Sequence, residues 1–159
     1  MGELKVTTLG ENAVEYTLPN GTPVLGILDL VPFLFCGYLW SHDNASYKTV
    51  CILVAGLWLF IKLSIVREES ILAIREVGVQ VKTTYVSGQS KIRFIDKSKL
   101  VNIVIHEGIT MWQLKSYLTI LVRDEHRTTV VFEHLLPRLR PTLLQVYHGV
   151  RGIMLIETD

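Results

Sequence analysis

Glu68 and Glu76 stand in an E-x7-E spacing, which one large class of glycosyltransferases uses to hold a nucleotide-sugar donor. That chemistry needs two Rossmann-like domains closing on the donor and a glycine-rich phosphate loop. A chain of 159 residues is too short for both domains and contains no such loop, so the spacing reads as chance around one short strand. The five histidines, His42, His106, His126, His134 and His148, show no H-E-x-x-H or similar ligand spacing. Cys36 and Cys51 lie inside apolar runs and are too few for a metal framework, which fits small buried hydrophobes better than a redox pair. Ser87-Gly88 lacks a G-x-S-x-G context and reads as a hairpin turn. The sequence therefore predicts no catalytic residue, no metal site and no cofactor.

Charges in apolar surroundings are more informative. The chain is 49% hydrophobic and 19% charged, richer in apolar side chains than an ordinary soluble domain. Two apolar runs, Val24–Trp40 and Val50–Val66, flank the polar loop SHDNASYKT. Each is about 17 residues, near the lower limit for crossing a bilayer. A pair of core helices in a soluble protein would ask the remaining chain to wrap two helices that are apolar nearly all round. A hairpin that dips into the bilayer without crossing also stays open, because the runs are short and Pro32 can kink the first. Asp29 and Lys62 are the charges within the runs. As antiparallel helices, the runs would place both about 6 to 8 Å inside the same boundary. There they pair with each other, or Asp29 meets a partner subunit or a lipid head group, or Lys62 simply snorkels.

Orientation follows from basic residues. Arg67, Arg75 and Lys82 follow the second run, whereas the connecting loop offers only Lys48, so both termini are expected in the cytosol. The first 23 residues are polar and acidic, with no apolar segment of a signal peptide, and Val6 breaks a myristoylation pattern at Gly2. Asn44 opens a glycosylation sequon in the far-side loop, and Asn20 opens another on the cytosolic side. Net charge is +1 overall, with −2 in residues 1–66 and +3 beyond, so no field argues for nucleic acid.

Beyond Arg67 the apolar pattern changes to alternation, the mark of half-buried strands. Strands are expected at Ser70–Ile74, Val77–Tyr85, Lys91–Ile95, Leu100–His106, Leu114–Arg123 and Thr128–Phe132, with breaks at Glu76–Gly78, Ser87-Gly88, Asp96–Ser98, Gly108 and Asp124–His126. An amphipathic helix begins near Pro141, with Leu139, Leu143, Val146, Tyr147 and Val150 on one face and Arg138, Arg140, His148 and Arg151 toward the other. The expected fold is an α+β membrane protein. A transmembrane helical hairpin (24–66) follows a cytosolic segment (1–23) and precedes a small antiparallel sheet domain (67–159), pleckstrin-homology-like and closed by the helix. Lys82, Lys91, Arg93, Lys97 and Lys99 form a candidate basic surface for anionic lipid or a partner. Trp112, Arg138 and Arg140 are further candidate contacts.

The stretches ESILAIREVGVQVKTTYVSG, RFID, LVNIVIHE, YLTILVRD, VVFEHLLPRLRP and LLQVYHGVR, in this order between Glu69 and Arg151, resemble the PIG-H family. His106 stands where that family usually has Asn, and His148 where Arg is frequent. The resemblance implies a non-catalytic subunit of the endoplasmic-reticulum complex that transfers N-acetylglucosamine from UDP-GlcNAc to phosphatidylinositol, the first step of GPI-anchor synthesis. It implies as partners the catalytic (PIG-A type) subunit, other membrane subunits and membrane lipid, including phosphatidylinositol. The rival reading of the same residues is a membrane-tethered lipid-binding module independent of any transferase.

Overall fold

The computed structural model describes residues 2–10, 12–24, 26–41, 45–110, 113–123 and 128–155. Two antiparallel sheets and a closing helix form the β domain. The first sheet has the order β1 (Lys5–Thr8), β2 (Ala13–Pro19), β3 (Val66–Ile74), β4 (Gly78–Tyr85), β5 (Ser90–Asp96). The second has the order β6 (Leu100–Thr110), β7 (Gln113–Val122), β8 (Thr129–Val131). Cross-strand registers define the inner face: Leu18 opposes Glu69, Tyr16 opposes Ile71, Ile71 opposes Val81, and Val79 opposes Ile95. The apolar side chains among these meet Ile103, Leu118, Ile120 and Val131 of the second sheet in one core.

Helix α3 (Leu144–Met154) covers that core with Val146, Val150 and Met154, preceded by an irregular turn over Leu139–Leu143. It crosses β2 closely at Gly149, where a Cβ would overlap the Tyr16 phenol. Glycine weakens a helix interior by about 1 kcal/mol relative to alanine, and this close approach explains its presence.

All six expected strands are present, with two boundary corrections. β3 starts at Val66, and β6 runs through Gly108 to Thr110, where a break had been expected after His106. A Cβ at Gly108 would lie 3.1 Å from the Tyr117 ring on the paired strand, so this glycine permits close approach and is not a turn. The turn at Asp96–Ser98 forms as expected: the Asp96 carboxylate accepts the Ser98 N–H at 2.8 Å and its hydroxyl at 2.6 Å. Those donors hold the Asp96 carboxyl below the usual carboxylate range. The N-terminal segment, from which no strand was expected, supplies β1 and β2 to the first sheet.

Between the neighbouring strands β2 and β3 the chain makes a short 3-10 turn (Ile27–Asp29), then α1 (Leu30–Trp40) and α2 (Ala45–Leu63). The helix pair is thus an elaborated hairpin loop. Its two ends are tied together: Asn20 donates its N–H to the Arg67 carbonyl at 2.8 Å and its side-chain amide to the Val66 carbonyl at 2.9 Å. The exit of α2 is also tied to the β4–β5 turn, where Val86 N–H donates to the Ile65 carbonyl at 2.9 Å.

The first apolar run was expected to be helical from Val24. Instead the Asp29 carboxylate accepts the Gly26 N–H at 2.6 Å, and α1 begins only at Leu30. Eleven residues rise about 16 Å, roughly half the thickness of a hydrocarbon core. Among the described residues one helix, over Ser46–Leu63, is long and apolar enough to cross a membrane, and Leu30–Leu39 is a shorter apolar helix.

Candidate functional site

The helix pair and the β domain each carry a cluster of polar groups. In the helix pair the structure brings Asp29 and Lys62 together. Lys62 Nζ lies 2.7 Å from Asp29 Oδ1 and 2.8 Å from Oδ2, and also donates to the Val24 carbonyl at 2.8 Å. Trp58 Nε1 donates to Asp29 Oδ1 at 3.1 Å, and its ring faces the ammonium at 5.9 Å. Phe33 packs edge-on against that indole, with centroids 4.9 Å apart. The side chains of Asp29 and Lys62 are 16% and 19% exposed. The sequence reading missed Trp58 and Gly26. Trp58 lies four residues before Lys62, so the two share a helix face, and that spacing was a usable signal.

Cys36 and Cys51 face each other across the two helices, each sulfur near the other's carbonyl, and both are free thiols. Among the described residues most other large side chains of the pair point outward into open surroundings. Leu34 is 73% exposed and Phe60 69%.

The candidate basic surface is distributed over separate places. Lys82 opposes Ser70 and Ile92 on the outer face of the first sheet. Lys91 and Arg93 oppose Thr83 and Val81 and so belong to the inner face. Lys97 and Lys99 sit in the turn after β5, where Lys97 bonds Glu76 at 3.1 Å. Arg138 and Arg140 border a groove with Gly2, Leu18 and Pro137, away from the others. Trp112 and Asn44 lie outside the described residues. Glu68 and Glu76, the sugar-donor spacing, are in β3 and in the β3–β4 turn.

Glu69 was overlooked as a site residue, although it falls on the inward positions of β3 with Ile71 and Ala73. It is 2% exposed. Its carboxylate accepts the Leu135 N–H at 3.0 Å, the His134 N–H at 3.3 Å and the Thr83 hydroxyl at 3.4 Å, and lies 3.3 Å from His134 Nδ1. These bonds hold the turn that follows Phe132, a buried residue with φ 58°. A bulky side chain seldom adopts that conformation, which costs about 1–3 kcal/mol. Burial of the ring and capture of the His134 and Leu135 N–H groups by Glu69 sustain it.

Among the described residues no three His, Cys, Asp or Glu side chains converge on a possible metal position. Fold and site together define a small two-sheet α+β domain with an apolar helix pair grafted into one of its hairpins. A family model described as "GPI-GlcNAc transferase complex, PIG-H component" matches residues 70–133. A Mus musculus protein, named as the H-type subunit of phosphatidylinositol N-acetylglucosaminyltransferase, is 30% identical over 122 residues, covering 73% of this chain and 64% of that protein. The Homo sapiens protein of the same name is 31% identical over 120 residues, covering 70% and 63%. The chain belongs to the PIG-H family. The matched stretch spans somewhat under two thirds of the length of these relatives.

Proposed function

We propose that the chain is a non-catalytic, membrane-anchored subunit of the endoplasmic-reticulum complex that transfers N-acetylglucosamine from UDP-GlcNAc to phosphatidylinositol. Family membership supports the complex. The observation that carries the anchoring is the outward apolar surface of the helix pair: only 6% of the Ser46–Leu63 stretch is buried. An apolar patch of that extent is stable only when lipid or protein covers it. Because β2 and β3 are neighbours, both ends of the pair emerge about 4.8 Å apart, which supports entry and exit through one membrane face. The excess of Lys and Arg after α2 supports the cytosolic side for that face. In this reading the longer helix reaches across the hydrocarbon while the shorter one, beginning at Leu30, reaches partway. The strands β2–β5, β6–β8 and α3 form a pleckstrin-homology-like domain held against the surface.

The role that follows is positional. The hairpin fixes the domain at the bilayer, and the domain docks the catalytic (PIG-A type) subunit and its membrane partners so that the acceptor cleft meets the lipid head group. Holding enzyme and acceptor together raises their effective concentration without any catalytic residue from this chain. Co-purification from detergent tests this reading. The full chain is expected to recover the catalytic subunit, and transfer of GlcNAc to phosphatidylinositol is expected only with both present. Product from the purified chain alone would contradict it.

A further inference from the structure

The inner face of the first sheet changes character along its strands. At the end far from the helices it is apolar, with Ala73, Val79 and Ile95 all buried. Toward the helices the same rows continue as Glu69, Thr83, Tyr85, Lys91 and Arg93. Among the described residues the second sheet does not close over this half. What remains is a cleft of about 320 Å³ between Glu69, Thr83, Tyr85, Lys91 and Arg93 on one side and Thr129 and His134 on the other.

A second observation points to an occupant. Thr129 is 5% exposed, lines this cleft, and its Oγ1 has no hydrogen-bond partner among the described residues. Buried hydroxyls are nearly always satisfied. The chemistry of the lining is mixed: two cations, threonine and tyrosine hydroxyls, an imidazole, and a carboxylate already engaged with the 134–135 turn. A simple anion would use only the cations. A phosphate ester carried on a polyhydroxylated ring would use both halves of the lining, and the volume lies in the range of small-ligand sites.

The position of the mouth indicates the source. Tyr85 borders the cleft and also the notch formed by Phe60, Leu63 and Ser64 at the end of α2. Glu69 is three residues along β3 from Val66, about 10 Å of extended chain. The head-group layer of one leaflet is about 5–7 Å deep, so the cleft opens just above it if α2 ends at the hydrocarbon boundary.

The geometry points to this cleft as a binding site for a phosphorylated polyol, with Lys91 and Arg93 on the phosphate and Thr129, Thr83 and His134 on ring hydroxyls. A glycerophospholipid head group presented by the bilayer is its source. The choice of source rests on the membrane reading above; the binding chemistry does not.

The test uses the full chain in detergent, titrated with glycerophosphoinositol and, separately, inorganic phosphate, followed by calorimetry. Saturable binding of glycerophosphoinositol is expected, at least tenfold tighter than of phosphate. Lys91→Glu with Arg93→Glu should abolish it and Thr129→Val should weaken it about tenfold, the effect of one lost hydrogen bond to a ligand. Lys82→Glu, the same charge change on the opposite face, should leave it intact. Absence of saturation, phosphate binding as tight as the polyol, or equal loss in Lys82→Glu would each overturn the proposal.

Nanodiscs of phosphatidylcholine, with and without phosphatidylinositol, separate the two readings. A chain that inserts into both but shows no response to the inositol lipid sinks the lipid source and leaves the anchor standing. One that binds glycerophosphoinositol yet fails to insert supports the cleft and contradicts the anchor.

Discussion

The helix pair and the β domain arrange the same kinds of side chain in opposite senses. In the sheets Ile71, Ala73, Val79, Ile103 and Leu118 are fully buried, while most charged side chains face out. In the helices Leu34, Ile52, Leu53, Leu57 and Phe60 face out, and the charges Asp29 and Lys62 turn toward each other. The proposed membrane anchoring accounts for the difference. Burial of apolar area drives the first arrangement. The second leaves apolar area uncovered and satisfies polar groups internally, as a hydrocarbon surrounding demands. The junction is a β-hairpin, with Asn20 holding the backbone of Arg67 and Val66.

That contrast predicts a separable pair. Replacing residues 22–65 by a two-residue Asn-Gly turn keeps the register in which Leu18 opposes Glu69 and matches the turn type that two-residue hairpins prefer. The product should be a folded monomer in water without detergent, an all-or-none change in solubility measurable by size exclusion and circular dichroism. Aggregation of a folded product would show that the β domain has an uncovered apolar face of its own. Cutting at residue 67 should do worse, because it removes Tyr16 and Leu18 from the core.

The paired charges are the next largest effect. Asp29→Leu leaves the Lys62 ammonium without its carboxylate in apolar surroundings, so recovery of monodisperse full chain from membranes should fall several-fold. Asp29→Leu with Lys62→Leu should recover most of the loss. A double variant as poor as the single one would mean that the two do not act as a pair.

Within the β domain, Gly149→Ala should destabilise by about 2 kcal/mol through overlap with Tyr16, despite alanine's better helix propensity. On a Tyr16→Phe background, which removes the overlapping hydroxyl, the penalty should shrink. An unchanged penalty in thermal melts would place the strain elsewhere.

The smallest effect concerns acid stability. The Asp96 carboxyl is depressed by Ser98 when folded, so it adds stability at pH values above the unfolded carboxylate range, and that contribution is lost as pH falls through the folded value. Ser98→Ala should raise the Asp96 titration midpoint, read by NMR, and slightly reduce stability near neutral pH. An unmoved midpoint would show that the hydroxyl contributes nothing.

Much of this was legible from residue order. Period-two alternation located six strands to within a few residues, and the apolar spacing of Val146 and Val150 identified the buried face of α3. Four features were harder to read. Val14, Tyr16 and Leu18 do alternate, but the acidic flanks of that segment masked β2, and strand pairing across 46 intervening residues has no local signal. Asp29 lies in an apolar run, and nothing in the run shows that its side chain would fold back on Gly26 and delay the helix. The basic residues Lys82, Lys91 and Arg93 looked like one patch because sequence proximity ignores which face of a sheet each residue takes, which only the register decides. The cleft behind Glu69 depends on where the second sheet stops, a property of packing between distant segments.

In the proposed function lipid covers the helix pair. Its most direct test is flotation of the full chain with phospholipid vesicles after detergent removal, followed by an alkaline carbonate wash. The full chain is expected to float with the vesicles and stay with them through the wash, while the turn-replaced domain remains in the aqueous fraction. A full chain that stays monodisperse in water without vesicles or detergent would contradict it.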